Sequence, residues 1–332
     1  MQVRLFFRKP SPSFHSIEKL FYAIYKGLPD GLATLHYAPF HSRGFMNRIR
    51  IGLDARKNQS QINHITGDIH FIAMFLKKER TILTIHDIGS IKKGNLIKRM
   101  IIKYFWFSLP IKSVRFITVI SEFTRQEVLE HFKIKKEKLF VINNCISDMY
   151  RYCPKKEKSP KPVILQIGTK ANKNLENLLP ALQNIECTLI IIGKLTDKQM
   201  NNLINFQIDF ENYLNISNEE LFSLYIRCDI LAYVSIYEGF GMPVVEANAV
   251  GRPVIASNIE PIKSNSGSAA LLVNPYSIEE IRKGIQYLIT NPEFCDQLIE
   301  RGLENAKKFR AEKIAGQYLD LYNKMLATKK VE

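Results

Sequence analysis

The chain has no Cys-x-x-Cys pair. Its five cysteines, Cys145, Cys153, Cys187, Cys228 and Cys295, are odd in number and lie far apart. That excludes a simple zinc knuckle and disfavours a disulfide framework, so buried thiols in a reducing cytosol are expected. No apolar run reaches the roughly 18–20 residues needed to span a bilayer. The opening seven residues are followed at once by Arg8-Lys9-Pro10, which reads as a first strand rather than a secretion signal. There is no Gly-x4-Gly-Lys-Ser/Thr loop, no internal repeat, and no helix-turn-helix, zinc-finger or RNA-binding signature. An Asp-x-Asp triplet is also missing, which argues against a divalent ion as the main ligand of a diphosphate. No metal and no other cofactor is expected.

What is present is a globular composition, 46% hydrophobic and 24% charged over 332 residues, long enough for two domains of about 150 residues each. The net charge of +15 is lopsided. Residues 1–160 hold 18 lysines and 11 arginines against 12 acids, whereas residues 161–332 hold 18 basic and 20 acidic side chains. An anionic partner for the first half follows: a membrane surface, a phosphorylated lipid or a nucleic acid. Nucleic acid is set aside because no recognition motif accompanies the charge. A generally basic proteome explains the same numbers without any partner.

The second half alternates strand and helix. Strands are expected at 163–168, 187–193, 208–214, 230–235, 253–257 and 271–273, with helices at 174–185, 197–205, 218–228 and 243–249. Ser217-x-x-Glu220 and Ser277-x-x-Glu280 read as capping boxes. Such alternation implies a parallel sheet covered by helices on both faces. In the first half, strands are expected at 3–7, 33–37, 68–71, 81–85, 116–120 and 139–142, and helices at 16–27, 95–107 and 122–132. The polar stretch 151–161 is the best linker. The organisation expected is therefore a first domain over 1–150, the linker over 151–161, a second domain over 162–311, and a final helix at 312–332. Two open α/β domains would face each other across a cleft at their strand ends.

Glu238-Gly-Phe-Gly-Met-Pro-Val-Val-Glu246 sets two carboxylates around a glycine-rich entry to a helix, after a buried strand. Gly239 and Gly241 let the backbone approach a ligand, and helix N–H groups favour an anion there. Carboxylates would repel a phosphate they touched, so they suit hydroxyl groups attached to it. A nucleoside diphosphate-sugar has both kinds of group. An ordinary turn with exposed acids is the plain alternative. Gly168-Thr169-Lys170-Ala171-Asn172-Lys173 can bind a diphosphate through N–H groups and ammonium charge, or be a solvated loop. His86-Asp87 follows the apolar strand Thr81-Ile-Leu-Thr-Ile85. The histidine can donate to a sugar hydroxyl or a leaving phosphate, with Asp87 orienting it, or simply be packed. His64, Asp68 and His70 lack the spacing of a known metal set. Residues 96–107 combine Lys98, Arg99 and Lys103 with four aromatics, including the only tryptophan, Trp106. That composition fits a membrane interface or core packing of one face equally well.

The run SxYEGFGMPVVEA followed by GRPVIASN resembles the donor-site signature of glycosyltransferase family 4, also called group 1. HITGDIH (64–70), TIHD (84–87) and VISEFT (119–124) resemble its first domain more loosely. The resemblance implies a GT-B architecture: two Rossmann-like domains whose parallel sheets face a central cleft, with the last helix crossing back to the first domain. It implies that Glu238 binds donor-sugar hydroxyls and acts in catalysis, and that Glu246 binds the ribose. Gly168, Gly239, Phe240 and Gly241 would offer backbone contacts, and His86 would approach the sugar. Thr169 stands where many relatives carry a basic residue, so Lys170 or Lys173 must supply that charge. Ser13-Phe-His15-Ser replaces the usual glycine-rich loop, which makes Ser13, His15 and Asp87 acceptor-side candidates. Ser264 and Ser268 replace two acids.

The activity so implied is retaining transfer of a hexose from a nucleoside diphosphate-sugar to a glycan or lipid-linked acceptor. A bacterial surface polysaccharide (O-antigen, capsule or exopolysaccharide) is the expected context. The enzyme would be cytoplasmic and peripheral at the inner face of the cytoplasmic membrane. No carboxylate presents itself as a covalent nucleophile, so front-face attack is expected. A catalytically idle partner subunit and a nucleotide-sugar epimerase are the other readings.

Overall fold

The computed structural model describes residues 1–10, 16–92, 95–155 and 161–327. The chain forms two compact units, Met1–Cys145 with the segment from Ala311 onward, and Ile146–Arg310. Part of the expected linker, residues 156–160, lies outside the described residues, as does position 328 onward of the last helix.

Each unit is built on a six-stranded parallel sheet. In the first, β1 (Val3–Phe7), β2 (Ala33–Tyr37), β3 (Ile62–Ile65), β4 (Thr81–Ile85), β5 (Phe116–Val119) and β6 (Leu139–Val141) lie in the order β2-β1-β3-β4-β5-β6. Every residue of β3, β4 and β5 is buried, as expected for strands covered on both faces. Helix Ala311–Ala327 returns to pack on helix Ser16–Gly27, and its Ile314, Tyr318 and Tyr322 join Phe7, Phe21 and Leu5 in one core. Gly27 permits this approach, because a Cβ there would meet the Ala315 Cβ at 3.0 Å.

The strand expected at 68–71 is absent. Gly67 (φ 144°) and Asp68 (φ 55°) break the extended backbone, and His70–Phe75 forms a 3-10 helix with His70, Phe71, Ile72 and Ala73 buried. The sheet position is taken by β3, whose INHI was not anticipated. Helix Phe45–Lys57 also went unexpected, because its apolar spacing is weak. The helix expected at 95–107 is α-helical over Leu96–Ile101, widens to a π-helix over Ile102–Ser108 and tightens again over Leu109–Lys112. The wide turn precedes Pro110, which has no N–H to offer and whose ring excludes a carbonyl from beneath it. The Ser108 hydroxyl takes up the Lys103 carbonyl at 3.0 Å.

In the second unit, β7 (Val163–Ile167), β8 (Thr188–Ile192), β9 (Asp209–Tyr213), β10 (Ile230–Tyr233), β11 (Val254–Ser257) and β12 (Leu271–Val273) lie in the order β12-β11-β10-β7-β8-β9. Ser217 and Glu220 form a reciprocal capping box on helix Asn218–Arg227, worth about 1 kcal/mol. Ser277 caps helix Ile278–Thr290 one way only, since the Glu280 carboxylate turns to the Asn274 N–H at 3.0 Å. Helix Pro292–Ala306, which sequence reading did not name, completes the unit.

A buried polar chain crosses the first sheet. His64 pairs through Nδ1 with the Tyr322 hydroxyl at 2.7 Å and through Nε2 with Thr84 Oγ1 at 2.8 Å, and Thr84 meets Thr118 at 2.7 Å. Burial lowers the His64 pKa from 6.5 to about 3 and that of buried His70 to about 4. Below pH 6.5 the unfolded chain therefore binds more protons at these sites than the folded one, so stability falls as pH falls. Each histidine should contribute a slope of about 1.4 kcal/mol per pH unit until its folded form titrates. Thermal melts across that acid range should show a shallower loss for His64→Gln than for wild type. Parallel curves would contradict the assignment.

Candidate active site

In the second sheet, strand order reverses between neighbours β7 and β10: β8 and β9 continue on one side, β11 and β12 on the other. Ligands of open α/β sheets bind at such a reversal, beyond the carboxyl ends of the strands. The two loops there are the ones that carry the glycines and carboxylates noted above. Side chains cross-link them. Asn172 Nδ2 donates to the Tyr237 carbonyl at 3.1 Å, and the Ile236 N–H donates to the Asn172 carbonyl at 2.9 Å. Buried Asn174, left-handed at φ 63°, donates to the carbonyls of Val234 (2.9 Å) and Pro275 (2.7 Å). Below them, buried Gln166 donates to the carbonyls of Gly168 and Lys173.

Gly168 adopts φ +92°, and a Cβ there would lie 2.9 Å from the Lys173 Cγ, so glycine lets Lys173 fold over the loop. The Lys173 ammonium donates to Glu238 Oε1 at 2.6 Å and to the Tyr233 hydroxyl at 3.0 Å, and lies 4.8 Å from that ring's centroid. Both side chains of the ion pair are largely buried (18% and 13% exposed), which makes their separation costly. An ammonium has three N–H donors; these two contacts use two of them. Burial, then the Glu238 charge, pushes the Tyr233 pKa well above its usual value, so it stays a phenol.

Helix Met242–Val250 begins at Gly241 (φ 90°) with no side-chain cap, and helix Leu175–Leu182 begins at Asn174 with none either. Two helix N-termini whose first N–H groups no side chain takes up are suited to an anion. The Phe240 ring is buried edge-on to Phe309, and its carbonyl accepts from Asn265 Nδ2 at 2.7 Å, so the Phe240 side chain serves the scaffold. Glu246, one turn into its helix, accepts from the Tyr225 hydroxyl at 2.8 Å. Burial and the Glu246 charge raise the Tyr225 pKa well above normal, which keeps it a donor. Lys170 is exposed. The Thr169 hydroxyl is committed to the Lys194 carbonyl at 2.6 Å, and its own carbonyl accepts from Gln199 Nε2 at 2.9 Å.

In the first unit the order reverses between β1 and β3. Arg8, just after β1, donates to both oxygens of Glu18 and pairs with Asp68. His86 Nε2 lies 2.7 Å from the Thr66 carbonyl, which can only accept, so this nitrogen carries the proton. Burial lowers the His86 pKa, so the ring is neutral and offers Nδ1 as an acceptor. The donating role expected of this histidine is thereby replaced by an accepting one at Nδ1. Asp87 does not orient the ring either: its carboxylate accepts from the Gly89 N–H at 2.8 Å, and the Thr66 carbonyl holds His86. Ser13 and His15 lie outside the described residues. His64, Asp68 and His70 do not converge, since each has its own partner. Among the described residues no cluster of three ligating side chains is placed for a metal.

Sequence reading missed Tyr225, Tyr233 and Arg8. The tyrosines look like core aromatics until their hydroxyls are seen to meet Glu246 and Lys173. Arg8 stands at the end of a strand, as His86 does, and that position was its signal. A hollow of about 720 Å³ at the other ends of β7, β10 and β11 contains the Lys155–Asp229 pair and is remote from these loops.

The sequence model described as Glycosyl transferases group 1 matches residues 153–305, and that of Glycosyltransferase Family 4 matches residues 1–148. The chain belongs to glycosyltransferase family 4. Its fold is GT-B, and it is a glycosyltransferase. O-antigen chain mannosyltransferase B of Escherichia coli is 27% identical over 270 residues, 74% of this chain and 70% of that protein. O-antigen chain mannosyltransferase RfbU of Salmonella typhimurium is 28% identical over 66% of this chain and 62% of its own length. The chain spans only 29% of the mannosyltransferase WbdA of Escherichia coli. Among solved structures, Anabaena HepE in complex with UDP and glucose superposes with a TM-score of 0.76 at 14% identity, covering 97% of this chain and 99% of that one. A glycosyltransferase from Rickettsia africae gives 0.77 at 17% identity, with 98% of both chains covered.

Gly168→Ala is expected to destabilise this family 4 enzyme by about 1–3 kcal/mol, from the positive φ and the displaced Lys173. Urea unfolding would show it, and a loss below about 0.5 kcal/mol would contradict the packing described.

Proposed function

We propose that this enzyme transfers a hexose, with retention, from a nucleoside diphosphate-sugar to a hydroxyl of a glycan or lipid-linked acceptor during surface polysaccharide assembly. The observation that carries the donor reading is the Lys173–Glu238 pair set beside two helix N-termini without side-chain caps. The third Lys173 donor, Lys170 and the helix ends balance the diphosphate, with no divalent ion assigned a role. Glu238 accepts from sugar hydroxyls and Glu246 from the ribose. Gly168, Thr169, Gly239, Phe240 and Gly241 contribute backbone. The similar O-antigen mannosyltransferases support the pathway and make mannose the first hexose to test. HepE, solved with UDP and glucose, supports the donor class. In the first unit, His86 through Nδ1 and Asp87 would accept from acceptor hydroxyls, with Ser13 and His15 as further candidates. The basic first unit is the side that faces an anionic membrane surface, at the cytoplasmic face of the membrane.

The reaction is a front-face displacement. The acceptor oxygen bonds to the anomeric carbon as the carbon–phosphate oxygen bond breaks, and the departing phosphate oxygen takes the acceptor proton. Catalysis is then positioning together with stabilisation of the leaving diphosphate.

Glu238→Ala should lower turnover by about a hundredfold or more while the nucleoside diphosphate still binds. Turnover near wild type would remove Glu238 from the chemistry. Glu246→Ala should chiefly weaken nucleotide binding, and Tyr225→Phe, which removes the hydroxyl bonded to the Glu246 carboxylate, should weaken it by about five- to tenfold. Calorimetry with the free nucleoside diphosphate checks both. Unchanged affinity in Glu246→Ala would refute the ribose assignment.

A further inference from the structure

The segment 96–105 displays an apolar stripe that the fold does not use. Leu96, Ile97, Met100, Ile101, Tyr104 and Phe105 recur at helical spacing, and all are exposed, the first three at 73%, 71% and 69%. The opposite side of the same segment supplies the core, through Ile102, Trp106 and Phe107. Beside the stripe, helix Phe45–Lys57 begins with Phe45 (75% exposed) and Met46, also exposed. Between the two runs a groove of about 810 Å³, lined by Phe45, Ile49, Met74, Ile97, Ile101 and Phe105, has Arg48 and Lys98 in its wall. The Arg48 guanidinium stacks 4.8 Å from the centroid of Trp106. Contiguous apolar surface of this kind marks a contact site.

Charge selects the partner. Residues 41–57 hold Arg43, Arg48, Arg50, Arg56 and Lys57 against Asp54 alone, and Asp54 is engaged by His36 at 2.6 Å. Residues 95–112 hold Lys98, Arg99, Lys103 and Lys112 with no acid. A second copy of the chain would bring these cations together, which opposes dimerisation through this face. An anionic bilayer offers both things the surface lacks: phosphates for the basic collar and acyl chains for the stripe and groove. Among the described residues no helix is long and apolar enough to cross a membrane, so the element would lie in the interface plane.

We propose that Phe45–Met46 and the stripe from Leu96 to Phe105 form a docking face that inserts into the headgroup region of an anionic lipid bilayer, with Arg48, Lys98, Arg99 and Lys103 binding its phosphates. This rests on the membrane-facing reading of the first unit and assigns it to a specific surface.

The test is sedimentation of the whole protein with phosphatidylcholine vesicles containing about a third phosphatidylglycerol, and with vesicles lacking it. Wild type should bind the anionic vesicles and lose binding toward ~0.5 M salt. The Ile97→Glu, Met100→Glu double variant should bind at least about tenfold more weakly. Replacing Lys98, Arg99 and Lys103 by Gln should cost roughly a hundredfold, at about fivefold per cation. Replacing Lys133, Lys135 and Lys136 by Gln is the control, and should change binding little. These side chains are exposed or tethered at the surface, so melting curves are expected to match wild type. If wild type binds and the stripe variants bind equally well, the docking face is wrong while the membrane reading stands. If wild type binds neither vesicle, the membrane reading fails as well. A dimer of the free protein that the Glu variants dissolve would assign the face to self-association and overturn the proposal.

Discussion

Between β7 and β10 the strand order of the second sheet reverses, and the loops after those two strands must leave in opposite directions. The opening this creates cannot be filled by sheet or helix backbone. It is lined by glycine-bearing turns and by the first N–H groups of two helices, so its potential is positive before any side chain is counted. Everything polar in the site answers to that fact. Asn172 and Asn174 tie one loop to the other, Gln166 supports the carbonyls beneath, and Lys173 bends back over Gly168. Glu238 is the acid that such a cationic place can hold without a large penalty.

The Lys173–Glu238 pair also sets two opposite charges side by side, one from each loop, where they suit different parts of a ligand. Without a ligand, each charge satisfies the other, and Tyr233 keeps the ammonium from swinging into water. A sugar diphosphate would extend the arrangement rather than replace it, with phosphate on the free ammonium donor and hydroxyls on the second carboxylate oxygen. Glu246 stands in the same relation to Tyr225. In both cases a buried phenol fixes a charged group, which is how a site reaches its geometry before the ligand arrives.

Much of this was legible in the chain. The βα alternation of the second half follows from apolar runs separated by capping signals, and the two glycine loops can be located by their position after those runs. The first half was harder, for identifiable reasons. INHI of β3 is short and half polar by type, and only the His64–Tyr322 and Thr84 hydrogen bonds let its histidine be buried. DIHF at 68–71 reads as a strand because buried 3-10 turns and buried strands share a composition. The tautomer of His86 depends on a carbonyl twenty positions away, which no local pattern encodes. Likewise, the excess positive charge of the first half is plain in the sequence, yet the bare apolar side of 96–107 is distinguishable only once the other side is seen to pack.

The two units thus differ in charge as well as in fold, a near-neutral unit with two uncapped helix N-termini at its loops and a basic unit with an open apolar face. The central claim is that Lys173 and Glu238 together form the sugar-diphosphate site. Thermal shift of wild type and Lys173→Met with a panel of UDP-, GDP- and ADP-sugars tests it most directly. One nucleotide class should raise the melting temperature saturably in wild type and leave the variant unmoved. An equal rise in both proteins, or no rise with any sugar nucleotide, would contradict it.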